Sequence, residues 1–250
     1  METNLVIIPT YNEKENVEKI IRTVFSLKTP YELLIIDDNS PDKTAEIVKK
    51  LQKEFPQNLH ILERSGKLGL GTAYLTGFKW ALDYGADYIY EMDCDFSHKP
   101  KDLERLHDAC AKGNADAAIG SRYINGINVI NWPLGRVLMS YFASVYVRLV
   151  TGMKIMDTTA GFICYSKKVL ETIDLDRVHM KGYGFQIEMK FTAWKHGFNI
   201  VEVPIIFMDR QKGTSKMSGG IFTEAFYGIP ELKFRSWFRK YKKPNNPNKK

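Results

Sequence analysis

Leu5-Val-Ile-Ile-Pro-Thr-Tyr-Asn-Glu13 is the stretch that decides the fold. Leu5 to Pro9 is short, wholly apolar and closed by a turn residue, the pattern of a strand buried on both faces. Polar residues with chemical capability follow at once. The same grammar recurs down the chain. Leu33-Leu-Ile-Ile36 runs into Asp37-Asp-Asn-Ser-Pro-Asp42, and Tyr88-Ile-Tyr-Glu-Met92 into Asp93-Cys-Asp95. Ala117-Ala-Ile119 runs into Gly120-Ser-Arg122, and His60-Ile-Leu62 reads as a weaker strand. Between these runs the apolar spacing switches to that of helices. Val17, Ile20, Ile21 and Val24 recur after Asn12, the expected cap, and Ala45, Val48 and Leu51 recur after Asp42, a second expected cap. Tyr74, Leu75, Phe78 and Leu82 share one side of a helix over 71–84, and a further helix spans 101–112. Alternating strands and helices predict an α/β fold, a mostly parallel sheet with helices on both faces. In such sheets ligands bind beyond the carboxyl ends of the strands. That rim here collects acids, an aromatic residue and an arginine.

Composition narrows the function classes. The 250 residues are 44% hydrophobic and 26% charged, enough for a sizeable core and unlike a disordered chain. Three scattered cysteines, Cys94, Cys110 and Cys164, make neither a disulfide framework nor a zinc knuckle and fit a reducing compartment. Met1 to Pro9 lacks the basic start of a signal peptide. The longest uncharged apolar stretch, Val137 to Val147, is too short for a bilayer, which takes about 20 residues. The expectation is a chain that does not span a membrane. The net charge is +7, and residues 233–250 carry eight basic side chains and no acid. Subtracting eight from +7 leaves the remainder at −1. This basic tail suits an anionic membrane surface, and it equally suits a solvated terminus. Nothing in the body of the chain reads as a nucleic-acid module, so no nucleic-acid partner is expected.

The rim motifs carry the chemistry. Asp93 and Asp95, at i and i+2 where a strand opens into a loop, can converge on one hard divalent cation, Mg²⁺ or Mn²⁺. Asp37 and Asp38 can accept from the N–H and O–H groups of a nucleotide base or ribose. Gly69-Leu-Gly71 is not a dinucleotide fingerprint: it does not follow the first strand, and Tyr74 stands where the third glycine belongs. The loop Gly66–Gly71 precedes a helix whose N-terminus suits phosphate. His98 either closes the acidic loop or contacts the metal, and Glu188 is either an anchor or a site acid.

In this order Pro9-Thr-Tyr-Asn-Glu13, Ile36-Asp-Asp38, Asp93-Cys-Asp95, Gly120-Ser-Arg122-Tyr123, Asp157-Thr-Thr-Ala-Gly-Phe162 and Gly182-Tyr-Gly-Phe-Gln-Ile-Glu188 resemble the family 2 glycosyltransferases. Within that family the chain is most similar to the dolichyl-phosphate (polyprenyl-phosphate) mannose synthases, over roughly residues 4–220. The resemblance implies a GT-A fold, a GDP-mannose donor, a dolichyl or polyprenyl phosphate acceptor and a divalent metal. It places Pro9, Tyr11, Glu13, Ile36 and Asp38 around the guanosine, and Asp93, Cys94 and Asp95 at the metal and diphosphate. Arg210 and Lys216, in Asp209-Arg-Gln-Lys-Gly-Thr-Ser-Lys216, match a loop closing over the phosphates. Arg122, Arg136 and Ser140 fall to the acceptor phosphate, and Asp95, Arg122 and Arg210 form the catalytic group. Two departures stand out: Cys94 where relatives commonly have Ala, and Ser97 where some have Gln as a third metal contact.

The implied chemistry is an inverting transfer of mannose to a phosphomonoester, which is mostly dianionic at pH 7 and needs no general base. UDP-glucose or another sugar nucleotide as donor on the same fold, or a non-catalytic nucleotide-sugar-binding scaffold at a membrane, are the alternatives. From Pro133 a helix puts Arg136, Ser140, Ser144 and Arg148 on one side and Leu134, Leu138, Tyr141, Phe142, Val145 and Leu149 on the other. It is an amphipathic interface helix or a core helix. The expected organisation is a glycosyltransferase domain over 1–220, an aromatic and basic helical segment over 221–241 and a disordered basic tail over 242–250. The expected location is cytoplasmic, peripheral on the cytoplasmic face of a membrane. Whether a separate membrane subunit is needed stays open.

Overall fold

The computed structural model describes residues 2–180, 182–210 and 220–242. Its centre is a seven-stranded sheet. The strands are β1 (Asn4–Thr10), β2 (Glu32–Asp37), β3 (Leu59–Glu63), β4 (Tyr88–Glu91), β5 (Ala117–Ser121), β7 (Ile163–Ser166) and β8 (Ile200–Pro204). Their spatial order is β3-β2-β1-β4-β7-β5-β8. All neighbours are parallel except at β7, which runs antiparallel to both β4 and β5. The chain passes outward from β1 through β2 to β3, then returns to lay β4 on the other side of β1. That reversal opens a crevice at the carboxyl ends of β1 and β4. A two-stranded ribbon, β6 (Val129–Ile130) with β9 (Phe207–Met208), stands beside it.

Strand periodicity builds two cores. Leu5 and Ile7 of β1, with Leu34 and Ile36 of β2, point to one face. There they meet α3 (Leu70–Tyr84), α6 (Lys167–Thr172), α7 (Gly182–His196) and α8 (Gly220–Ser236). Val6, Ile8, Leu33 and Ile35 point to the other, against α1 (Val17–Phe25), α2 (Thr44–Gln52) and α4 (Asp102–Ala111). The predicted α/β architecture, with helices on both faces, is what the chain adopts. At Gly77 of α3 helix and sheet touch: a Cβ there would stand 2.8 Å from Ile36 Cδ1 and from Ile7 Cγ2.

Helix starts differ from the sequence reading in two places. Asn12 does not cap α1; it sits at φ 55° in the turn, and α1 begins five residues later after Asn16. Asp42 acts one position early: Lys43 holds the cap position, while Asp42 Oδ1 accepts from the Thr44 N–H at 3.1 Å and the Thr44 hydroxyl at 2.6 Å.

The remaining helix, α5 (Leu134–Thr151), shows which of its sides faces inward. Ser144, Val147 and Thr151 are buried, whereas Leu134, Leu138, Phe142 and Leu149 are exposed. α8 packs alongside and exposes Phe226, Tyr227 and Phe234, and Trp237 and Phe238 just beyond its end are exposed too. No described helix is long and apolar enough to cross a membrane.

Candidate active site

The carboxyl ends of β1, β2, β4 and β5 deliver their loops to one cavity of about 560 Å³. At β1, Pro9, Tyr11 and Glu13 line it, and the Lys67 ammonium lies 5.4 Å from the centroid of the Tyr11 ring. Glu13 is anchored: its N–H donates to Thr44 Oγ1 at 3.0 Å and its Oε2 accepts from Asn16 Nδ2 at 2.9 Å. At β2, Asp38 lines the cavity but is not a free acceptor. The Arg64 guanidinium grips it in a bidentate fork, Nε to Oδ1 at 2.6 Å and NH2 to Oδ2 at 2.7 Å. Ile36, expected at the guanosine, is a core residue instead. Alternation along β2 turns it to the face covered by α3.

At β4, Asp93, Cys94 and Asp95 all line the cavity. Phe96 turns the chain at φ 61°, a left-handed conformation costly for a bulky side chain, and Ser97 N–H then donates to Asp95 Oδ1 at 3.0 Å. Arg210 NH2 donates to Asp95 Oδ2 at 2.7 Å, and its NH1 lies 3.6 Å from Glu13 Oε1. The two aspartates are therefore unequal. Asp93 lies deep in the fold yet keeps 39% of its side chain open to the cavity. Burial, then the Asp95 charge, push its carboxyl up from the usual range. Burial also opposes ionisation of Asp95, but the Ser97 hydrogen bonds and the Arg210 charge outweigh it and hold this carboxyl low.

At β5, Arg122 is buried under an aromatic layer, its guanidinium carbon 5.5 Å from the Trp132 ring and 5.6 Å from that of Phe207. Its Nε and NH2 donate to the two oxygens of Asp157 at 2.7 Å each, and NH2 also to Thr159 Oγ1 at 2.9 Å. Arg136 is more open: it lies 4.1 Å from the Trp132 centroid and donates to Asp209 at 2.9 Å. Both arginines line the cavity. Ser140, expected beside Arg136 at the acceptor phosphate, is not on the cavity wall; its hydroxyl accepts from Tyr123 Oη at 2.7 Å. One helical turn beyond Arg136, it meets Tyr123 instead of the cavity. Glu188 proves to be an anchor, accepting from the His179 and Met180 N–H groups at 3.0 and 2.9 Å. Lys216 and the tail from residue 243 lie outside the described residues.

Three site residues escaped the sequence reading. Arg64 was legible in principle, because Asp37 pairs with Glu63 and the next residues, Asp38 and Arg64, must then adjoin. Trp132 and Gln186 carried no signal that separates a cavity wall from a core.

Among the described residues no three His, Cys, Asp or Glu side chains gather around a single point. Asp93 and Asp95 still suit a hard cation. They offer oxygen ligands only, the Asp93 carboxyl held above its usual range by burial and the Asp95 charge, and leave positions for phosphate oxygens.

Comparison with known proteins agrees with this geometry. Residues 5–174 match the model of glycosyl transferase family 2. The chain is 46% identical to the polyprenol monophosphomannose synthase of Mycolicibacterium smegmatis, over 94% of this chain and 88% of the relative. It is 43% identical to the undecaprenyl-phosphate mannosyltransferase of Micrococcus luteus, over 90% and 91% of the two chains. Among solved structures, glucosyl-3-phosphoglycerate synthase of Mycobacterium tuberculosis, in complex with Mn²⁺, UDP-glucose and phosphoglyceric acid, superposes with a TM-score of 0.68. It covers 93% of this chain and 80% of its own at 16% identity, a likeness of fold.

Proposed function

The chain belongs to glycosyl transferase family 2 and has the GT-A fold, and on that premise we propose that it transfers mannose from GDP-mannose to a polyprenyl phosphate, releasing GDP. The observation that carries this reading is the convergence, on one cavity, of two carboxylates from β4 and two accessible arginines, Arg136 and Arg210. The names of the two bacterial mannosyl transferases support the acceptor class.

Each wall has its own role. Tyr11, with Lys67 over its ring, and Asp38, oriented by Arg64, take the nucleoside. Asp93 and Asp95 are the residues that hold Mg²⁺ or Mn²⁺, which when bound would neutralise the diphosphate leaving group. Arg136 and Arg210 take the anionic oxygens of acceptor and donor, trading their present carboxylate partners for phosphate. Arg122, committed to Asp157, fixes the floor between them and adds a buried positive field. The acceptor phosphate is already ionised at pH 7, so the site must bring anions together rather than remove a proton. Direct displacement inverts the anomeric centre and gives a β-linked product.

We place the enzyme peripherally on the cytoplasmic face of a membrane. The exposed apolar side chains of α5 and α8, beside basic residues such as Lys233 and Arg235, support this. The decisive assay supplies purified protein with undecaprenyl phosphate, Mn²⁺ and either GDP-mannose or UDP-glucose. GDP release with mannosyl-lipid formation is expected, and Asp95→Asn should lower kcat at least about 100-fold. Turnover of UDP-glucose alone, or unchanged turnover in Asp95→Asn, overturns the reading.

A further inference from the structure

Behind the cavity floor lies a buried polar cluster for which the reading above has no use. Gln186, on α7, lines the cavity and is 2% exposed. Its Nε2 donates to Glu91 Oε2. Its Oε1 has no hydrogen-bond partner among the described residues. Glu91 is fully buried on β4, two residues before Asp93, so the pleat carries both side chains on one face with Glu91 beneath. One turn along α7, Lys190 is also buried, and its Nζ donates to Gln186 O at 3.1 Å and to Ala160 O at 2.5 Å. Ala160 and Gly161 belong to the same floor, and a Cβ at Gly161 would stand 3.4 Å from Gln186 Nε2.

This arrangement fixes which way the amide faces. The Nε2 end of Gln186 faces Glu91 Oε2 and donates to it. The carbonyl end is thereby turned away from Glu91 and left without a donor. Buried acceptors without donors are rare in native folds and point to a partner that arrives with the ligand. Gln186 lines the same cavity as Asp93. The nucleoside wall, Tyr11 and Asp38, and the acceptor wall, Arg136 and Trp132, belong to other elements. The group that must lie over the floor, between diphosphate and acceptor, is the hexose, which presents hydroxyl donors.

From this we infer that Gln186 reads the donor sugar: its Oε1 accepts a hydrogen bond from one ring hydroxyl, with Glu91 as the positioning residue that holds the amide in that orientation and Lys190 bracing the Gln186 main chain. The inference rests on the reading of the chain as a sugar-nucleotide transferase and adds to it the residue that discriminates among hexoses. A site built to accept from a hydroxyl rejects the analogue lacking it, because the buried carbonyl is then left unpaired.

The test is a binding series with GDP, GDP-mannose and its monodeoxy analogues, on the wild type and on Gln186→Met and Glu91→Gln. In the wild type, removing one particular hydroxyl should weaken binding about tenfold. In Gln186→Met, which keeps the length but has no acceptor, the same removal should cost nothing, while GDP binds as in the wild type. Glu91→Gln frees the amide to turn and should flatten the same hydroxyl preference, again without changing GDP affinity. A wild type that tolerates every monodeoxy analogue overturns the inference whatever the variants do. So does a Gln186→Met protein that loses as much as the wild type on each analogue. Failure of the underlying reading looks different: the wild type then gains nothing from the sugar at all, binding GDP-mannose no better than GDP or neither.

Discussion

His98 shows how a single residue at this site is governed by its burial. Its ring stacks on Phe162 with centroids 4.8 Å apart and meets the edge of Phe207. Burial pushes its imidazole down to about 4; Asp95 resists the shift and Arg122 adds to it. Nδ1 lies 3.8 Å from Asp93 Oδ2 without a hydrogen bond. The unfolded imidazole takes its proton near pH 6.5, the folded one only near 4. Between those values the unfolded chain binds more protons, so this group's contribution to stability falls as the pH drops from 6.5 towards 4 and is flat above. By pH 5 the loss should be about 2 kcal/mol. Urea unfolding at pH 7.5 and pH 5 measures it, and His98→Phe, which keeps the stack, should lack that share of the decline. The sequence placed His98 beside the acidic pair. It could not show the enclosing rings, which come from residues 64 and 109 positions further on.

At the scale of elements, α3 is held against the sheet by what Gly77 lacks. A methyl group there meets the ends of Ile7 and Ile36, side chains that are themselves fully buried and have little room to yield. Gly77→Ala should cost about 1–3 kcal/mol despite the better helix propensity of Ala, and Gly77→Val more. Thermal unfolding followed by circular dichroism checks both. The strands of the first half were legible because each is a buried apolar run ending in polar residues. β7 and β8 were not. Ile163-Cys-Tyr-Ser166 continues an apolar stretch and abuts α6, so no local feature marks its ends or its antiparallel sense. Ile200-Val-Glu-Val-Pro204 is only half-buried, and its Glu202 serves a neighbouring loop, accepting from the Met156 and Asp157 N–H groups at 2.7 and 2.9 Å. The two sides of α5 were visible in the sequence, but either could have faced the core.

For the whole molecule, the consequence is a surface with apolar side chains outward on two adjoining helices. Tyr146 of α5 stacks on Phe226 of α8 at 5.2 Å and donates its hydroxyl to the Phe226 carbonyl at 2.8 Å, tying the pair together. Phe142 is 59% and Trp237 66% exposed, so neither contributes much to the fold. Transfer of each ring into a lipid interface is worth roughly 1.5–3 kcal/mol. Phe142→Ser combined with Trp237→Ser should lower partitioning onto anionic vesicles at least about tenfold in co-sedimentation, with the melting temperature unchanged. Equal partitioning of variant and wild type would remove these helices from the docking surface.

Local sequence by itself determined the α/β class, the positions of the first strands and the polar rim at their carboxyl ends, because burial of a strand and the turn after it are written in consecutive residues. Tertiary structure alone decided how the rim works. Asp38 with Arg64, Arg122 with Asp157 and Glu91 with Gln186 are partners 26, 35 and 95 residues apart. Asp38 looked like a free ligand in the linear chain, and nothing there set Asp157 or Glu91 apart. Whether each carboxylate is free, pinned by a guanidinium or set to orient an amide depends on charges that only the folded sheet and its covering helices bring within hydrogen-bonding distance.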